Sequence, residues 1–388
     1  MEFIDLKAQQ QQLVSGGITL RQDIDQKIKK VLDHGKFIFG PEIEELEEKL
    51  AKFVGVNHCI GVSSGTDALL ISLMALGIKP GDEIITTPFS FFSTVETILL
   101  LRAKPVFVDI EELTYNIDSK LIEQAISKKT KAIIPVSLYG QPANFMEINK
   151  IGQKYKIPII EDGAQSFGST HHKLRSCSLS TIGTTSFFPS KPLGCYGDGG
   201  ACFTNDKELA KNIREISIHG QNKRYSHNQI GLNGRLDTIQ AAILIAKLDL
   251  FEAEIEARIK IGSRYTAKLN EKGFNKTPFI SSDNTSVYAQ YTIQVNNREK
   301  VIENMKNRGI PTSVHYPSLL PDQKALKNFN FKNKKFLNHI FSKDIHKSYV
   351  IKNAKEAASK VLSLPMHPNL NEDNQNLVIN SLMESLNS

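Results

Sequence analysis

Residues 157–168 read Ile-Pro-Ile-Ile-Glu-Asp-Gly-Ala-Gln-Ser-Phe-Gly. The first four are apolar without alternation, the pattern of a strand covered on both faces. Asp162-Gly163 ends the run. Six further short runs share its texture, at 59–62, 83–86, 105–108, 132–136, 184–188 and 201–204. Amphipathic stretches at 67–76, 93–101, 118–126 and 145–154 fall between most of them and predict helices. Strands alternating with helices imply βαβ units, right-handed crossovers and an α/β fold with a mostly parallel sheet. In such a sheet ligands bind beyond the carboxyl ends of the strands, which is where Asp162 falls.

Outside that region the texture changes. A helical stretch runs from 236 to 269 with Gly262 its only obvious breaker, and a strand-like segment follows at 288–295. The first 30 residues look like an arm and an amphipathic helix. The predicted division is an arm and helix over 1–30, a large domain over 31–250 and a small α+β domain over 251–388.

Composition narrows the class. The chain has 388 residues, enough for two or three domains, with 40% hydrophobic and 23% charged residues, as in a soluble globular protein. The richest apolar stretch, 68–78, is interrupted by Ser72 and Gly77, so no membrane span is expected. The first residues lack the basic-then-apolar order of a secretory signal. Cys59, Cys177, Cys195 and Cys202 form no C-x-x-C pair, which points to a reducing, cytoplasmic setting. Net charge is +7, with basic clusters at Lys128, Lys129 and Lys131 and at Lys332, Lys334 and Lys335. No reading module or basic stripe accompanies them, so nucleic acid is not an expected partner.

Four local signals carry chemistry. Ser63-Ser64-Gly65-Thr66-Asp67 follows a strand and opens a helix, where free N–H groups attract an anion. By itself it reads better as an ordinary helix cap. Asp162 could pair with a cation on a ligand or cap the next turn. Lys191, between a β run and the glycine-rich stretch 194–200, is a candidate Schiff-base nucleophile, although most lysines are surface charges. Arg235, in Asn233-Gly234-Arg235, could hold a carboxylate or phosphate, or pair with Asp237. His171-His172 lies in a polar loop and no metal site is expected there. Cys195 reads as a packed small residue and Asp109 as a cap or turn at a strand end.

The order and spacing of these signals resemble the sugar-nucleotide aminotransferases, a branch of the fold-type I, aspartate-aminotransferase-like, pyridoxal-phosphate enzymes. The resemblance covers nearly the whole chain, from residues 37–42 (FIFGPE) through 63–69 (SSGTDAL) and 135–141 (PVSLYGQ) to 314–317 (VHYP) and 364–368 (LPMHP). Residues 186–201, SFFPSKPLGCYGDGGA, look most like the branch that aminates the 3-oxo group of a UDP-linked N-acetylated glucuronic acid. Many members of the wider family have Asn after the lysine and Glu before the Gly-Gly pair; here Pro192 and Asp198 stand there, which fits that branch. A related dehydratase group carries histidine at the lysine position.

The resemblance implies a three-layer large domain with a smaller α+β domain, pyridoxal 5′-phosphate as cofactor with pyridoxamine 5′-phosphate as its aminated form, and a homodimer with shared active sites. It implies that Lys191 holds the cofactor's aldehyde as an imine and then shuttles a proton, and that Asp162 pairs with the pyridine nitrogen. Gln165 falls beside the 3-hydroxyl and Phe91 stacks on the ring. Gly65, Thr66 and Ser186 contact the phosphate, with Asn233 delivered from the neighbouring subunit. Arg235, His315 and Tyr316 face the sugar nucleotide. The implied reaction moves an amino group from L-glutamate to the UDP-sugar for lipopolysaccharide O-antigen. Its rivals are a 4-aminotransferase of a 4-oxo-6-deoxy nucleotide sugar and a non-catalytic sensor of cofactor or nucleotide sugar.

Overall fold

The computed structural model describes residues 1–328 and 351–387; Lys332, Lys334 and Lys335 lie outside the described residues. The N-terminal segment carries helices α1 (Leu6–Gln10), α2 (Leu20–His34) and α3 (Pro41–Val54). Next come β1 (His58–Val62), α4 (Gly65–Ala75), β2 (Glu83–Thr86), α5 (Ser93–Leu100), β3 (Lys104–Phe107) and α6 (Ser119–Ala125). The chain continues with β4 (Thr130–Ile134), α7 (Phe145–Tyr155), β5 (Ile160–Asp162) and a small hairpin of β6 (Thr170–His171) and β7 (Leu174–Arg175). Then follow β8 (Ile182–Ser186), β9 (Gly200–Thr204), α8 (Lys207–Ser217) and a second hairpin of β10 (Gln221–Lys223) and β11 (Ser226–His227). The long α9 (Thr238–Glu271) leads to β12 (Tyr291–Gln294), α10 (Arg298–Asn307), α11 (Lys324–Asn328), α12 (Lys352–Lys360), β13 (Val361–Leu364) and α13 (Glu372–Asn387).

All seven apolar runs become strands of one sheet. Ladders join β3-β2-β4 and β5-β8-β9-β1, and parallel bridges Ile133–Ile159 and Val136–Asp162 join the halves. Only β9 runs antiparallel to its neighbours. The unbroken apolar runs follow from two covered faces. Ile84, Ala132, Ile134 and Ile160 pack with Leu69, Leu73 and Ile98 of α4 and α5, while Ile85, Ile133 and Ile159 pack with Ile122, Phe145 and Ile148 of α6 and α7. On the β1 side, Ile60 and Cys202 meet α8, and Cys59, Ala201 and Phe203 meet α3 and α9. The result is three layers, helix on sheet on helix.

Helix α9 does not break at Gly262 and runs unbroken through residue 250, where the sequence placed a domain boundary. The glycine is there for close approach. A Cβ on it would lie 2.6 Å from the Tyr288 ring, which stacks on Tyr291. Tertiary packing thus overrides the helix-breaking tendency of glycine. Gly262→Ala is expected to cost roughly 1–3 kcal/mol by overpacking, read as a lower urea midpoint with an unchanged slope. From Ile261 onward, Ile261, Tyr265 and Leu269 join Ile293, Met305, Leu364 and Leu382 in a separate core around the β12-β13 pair. Asp109 ties the two parts together. Its buried carboxylate accepts from the backbone N–H groups of Asn353 (2.9 Å) and Ala354 (3.0 Å), capping α12 from the far side of the sequence.

Candidate active site

The carboxyl ends of β1, β2, β5 and β8 converge, and the sequence places its polar signals there. Asp162 closes β5. Strand alternation turns it to the α5 side, where Thr94 donates to Oδ2 at 3.0 Å, and the Ala164 N–H donates to Oδ1 at 3.2 Å. Ser90 supports Thr94 at 3.0 Å. Burial pushes the Asp162 carboxyl up; the Ala164 N–H, the Lys191 charge and Thr94 oppose it. Neighbouring Glu161 points to the other face. It is fully buried and accepts from Ser176 at 2.6 Å, and burial pushes it up to about 7.

Lys191 is half-buried in the loop after β8. Burial lowers its amine below the usual lysine range, and the Asp162 charge partly restores it. His315 faces the same amine. It is pushed down to about 4 by burial and then by the Lys191 charge, so it is neutral at neutral pH. Its Nδ1 lies 2.9 Å from Ser363 Oγ, and the Tyr139 hydroxyl donates to its carbonyl. Tyr316 receives a hydrogen bond from Gln165 Nε2 at 3.0 Å, and its ring lies 6.2 Å from that of Phe91. Burial and the Asp162 charge both raise its hydroxyl pKa. Gln165 Oε1 accepts from the Tyr139 N–H at 2.7 Å. Asp162, Gln165, Lys191, His315, Tyr316 and Phe91 therefore form one neighbourhood.

A second group adjoins it at the start of α4. Ser64 caps that helix, accepting from the Asp67 N–H at 3.0 Å. Gly65 is required by crowding, since a Cβ on it would lie 2.6 Å from Ser186 Cβ. This contact sets Ser186 at the end of β8 against the helix start that carries Thr66. Donors from two elements then face one small volume.

Among the described residues no hydrogen bond or ion pair links Asn233 or Arg235 to Lys191; both lie beside the end of β1, where the Ser63 N–H donates to the Gly234 carbonyl at 3.0 Å. Asn233 is exposed and bridges to Ile218, while Arg235 bridges to Val62. Among the described residues no ion pair joins Arg235 to Asp237, and the buried Arg235 Nε has no hydrogen-bond partner. His171 lies buried in β6 rather than in a polar loop, with Nδ1 2.7 Å from Asn284 Oδ1, and His172 has Asp283 at 3.7 Å. Cys195 is fully buried. Sequence reading missed Thr94, Ser90 and the role of Tyr139. Their only signal was position, just after β2 and just after β4, on the ligand-binding edge of the sheet.

Residues 19–383 match the DegT/DnrJ/EryC1/StrS aminotransferase family. The chain belongs to that family. The aminotransferase is 52% identical over 370 residues to a UDP-2-acetamido-2-deoxy-3-oxo-D-glucuronate aminotransferase of Pseudomonas aeruginosa, covering 95% of this chain and 96% of that protein. A crystal structure of a DegT DnrJ EryC1 StrS aminotransferase from Brucella abortus superposes with TM-score 0.90 at 37% identity, covering 100% of both chains. NtdA of Bacillus subtilis, solved with bound cofactor PMP, superposes with TM-score 0.84 at 31% identity, covering 100% of this chain and 83% of that one.

The aminotransferase uses pyridoxal 5′-phosphate, and its residues fit that group. An aldehyde needs an amine, which Lys191 offers with a lowered pKa. A protonated ring nitrogen needs a buried acid. Each Asp162 oxygen accepts one protein hydrogen bond and keeps a lone pair for another. A phosphate needs donors without a side chain in the way, and the start of α4, where the bare Gly65 lets Ser186 at the end of β8 approach, would offer them.

Proposed function

We propose that the aminotransferase moves the amino group of L-glutamate to the 3-oxo group of a UDP-linked 2-acetamido-2-deoxy-glucuronic acid. The observation that carries the reading is Lys191 set against Asp162 beneath Tyr316 and His315, in a chain 52% identical to an enzyme named for that sugar. Pyridoxal phosphate held there would supply an electron sink for a carbon that gives up its proton. The chain supplies the rest. Lys191 Nζ takes and returns the proton, its lowered pKa favouring the free base that this step requires. Asp162 holds a proton on the ring nitrogen. Gln165 orients Tyr316 over the site. Gly65, Thr66 and Ser186 hold the phosphate, and Phe91, partly exposed beside Tyr316, shields the ring from water.

Asn233 and Arg235 serve the partner subunit's site in a homodimer. Two features support association: Phe37, Ile38 and Phe39 form an exposed apolar run, and Tyr225 and Ile230 stand almost fully exposed on the segment leading to Asn233. The buried, unpartnered Nε of Arg235 fits a guanidinium that meets the sugar's carboxylate. The chain divides into an N-terminal arm and helix, a large domain and a small one, with α9 passing from the large core at Phe251 and Ile255 to the core around β12-β13 from Ile261. The protein works in the cytoplasm, where nucleotide sugars are made for surface polysaccharide such as O-antigen. No helix among the described residues is long and apolar enough to cross a membrane.

The test offers purified protein L-glutamate with either the UDP-linked 3-oxo-uronate or a 4-oxo-6-deoxy nucleotide sugar, and follows amine incorporation by mass. Amination of the 3-oxo-uronate alone is expected; amination of the 4-oxo sugar alone would overturn the reading. Arg235→Ala is expected to lower kcat/KM for the sugar half-reaction by about 10- to 100-fold, the size of a lost charged hydrogen bond, with the glutamate half-reaction changed little. Equal losses in both half-reactions would remove the carboxylate assignment.

A further inference from the structure

The loop that carries Lys191 is gripped from outside by one face of α9. Within the loop, the Phe187 N–H donates to Gly199 O at 2.7 Å and the Cys195 N–H to Phe187 O at 2.8 Å, so 187–199 closes on itself. Gln240 holds the backbone of Tyr196 through both of its polar atoms: Oε1 accepts from the Tyr196 N–H at 2.9 Å, and Nε2 donates to the Tyr196 carbonyl at 3.3 Å. Seven residues on, two turns along the same helix face, Lys247 donates to the carbonyl of Gly194. Its ammonium also lies 5.3 Å from the centre of the Tyr196 ring.

Lys247 is only 2% exposed, which is rare for a lysine. Burial pushes its amine down to about 8 while the charge of Glu254 opposes that, so it remains mostly a cation at neutral pH. Glu254 lies a further seven residues along α9 and is held by Gln9 Nε2 at 2.8 Å. Packing alone would be served as well by methionine at no desolvation cost. What the ammonium adds is a charged donor on a main-chain carbonyl three residues from Lys191.

We propose that Lys247 is a positioning residue for the transamination: with Gln240 it clamps the 194–196 backbone and so fixes where the Lys191 amine stands. The proposal rests on Lys191 being the proton carrier, since only then does its placement reach the rate. Proton transfer needs the amine within hydrogen-bond reach of the reacting carbon, and a displacement of about 1 Å costs on the order of a hundredfold. Lys247 and Gln240 hold backbone atoms of Gly194 and Tyr196, so their expected effect is on the rate rather than on substrate affinity.

Three variants test this, each assayed as the loaded enzyme and by hydrogen exchange on the cofactor-free chain. Lys247→Met is expected to lower kcat about 10- to 100-fold in both half-reactions, with KM for each substrate within about twofold. Exchange in peptides covering 187–199 is expected to rise in Lys247→Met while the β12-β13 region is unchanged. Lys247→Arg, which keeps a charged donor, is expected to recover much of kcat. Lys191→Ala is the control for the underlying reading: it loses turnover and keeps normal exchange in the loop. Unchanged kcat in Lys247→Met, a loss confined to KM, or exchange raised evenly through the chain would each overturn the clamp. Activity surviving in Lys191→Ala would instead overturn the reading on which it rests.

Discussion

Lys191→Ala is expected to lower turnover by about 10⁴-fold or more while leaving the chain folded. Loss of a positioned acid–base group alone accounts for 10²- to about 10⁴-fold, and this amine is proposed to hold the cofactor as well. No neighbour replaces it. His315 faces the same point, but burial pushes it down to about 4, and its Nδ1 is already set against Ser363. Tyr316 is held by Gln165, and burial keeps its hydroxyl protonated. Folding survives because the lost group is a partly desolvated cation whose pKa is depressed, so the native state was bearing a cost to charge it. That cost is present below the folded pKa and fades as pH rises through the unfolded value. The variant is therefore expected to gain slightly at neutral pH. Asp162, left without the cation that opposes its burial, is pushed further up. The checks are turnover of both half-reactions, the thermal midpoint, and partial rescue by added small primary amines. Turnover within tenfold of the parent would remove Lys191 from the chemistry.

The strands were legible because burial on both faces writes an apolar run that needs no partner to be read. Their ends were less so. Residues 157 and 158 were read as strand, yet the ladder begins at Ile159, since Pro158 has no N–H to give and offers only its carbonyl to Ile133. Phe187 and Phe188 were read into β8, yet the strand stops at Ser186 because the Phe187 N–H turns to close the Lys191 loop. Lys191 and Asp162 were visible because an ionisable residue beside an apolar run or a glycine cluster is conspicuous. Thr94 and Lys247 were not. Their partners lie 68 and 53 residues away, and only the closed sheet and the long α9 bring them together. Asp109 was legible as a cap, but not the helix it caps, 244 residues away. Gly262 was misread for the same reason, as its meaning lies in the Tyr288 ring and not in its own helix.

Asp162→Asn tests the other half of the charge pair and is expected to lower kcat by about 10³-fold, the size of a lost preorganised electrostatic contact in a dry site. The substitution keeps shape and most hydrogen bonds. The amide oxygen can accept from the Ala164 N–H, and Thr94, already shared with Ser90, can turn its hydroxyl to accept from the amide nitrogen. What disappears is the negative charge, and with it the proton on the cofactor's ring nitrogen. Lys191 also loses the charge that raises its pKa and drops further, so its free base persists to lower pH. The acidic limb of whatever rate remains should therefore move down. Glu161 supplies the internal control. It is the adjacent residue, equally buried and pushed up to about 7, yet it lies on the opposite sheet face with Ser176 on one oxygen and the Leu179 N–H at 3.4 Å from the other. Glu161→Gln should leave kcat within a few-fold and register in the thermal midpoint, because its contacts are to the chain and not to the site. If both variants lost activity alike, the charge at Asp162 would have no special standing; a loss confined to Asp162→Asn assigns the chemistry to the one carboxylate that β5 turns toward Lys191.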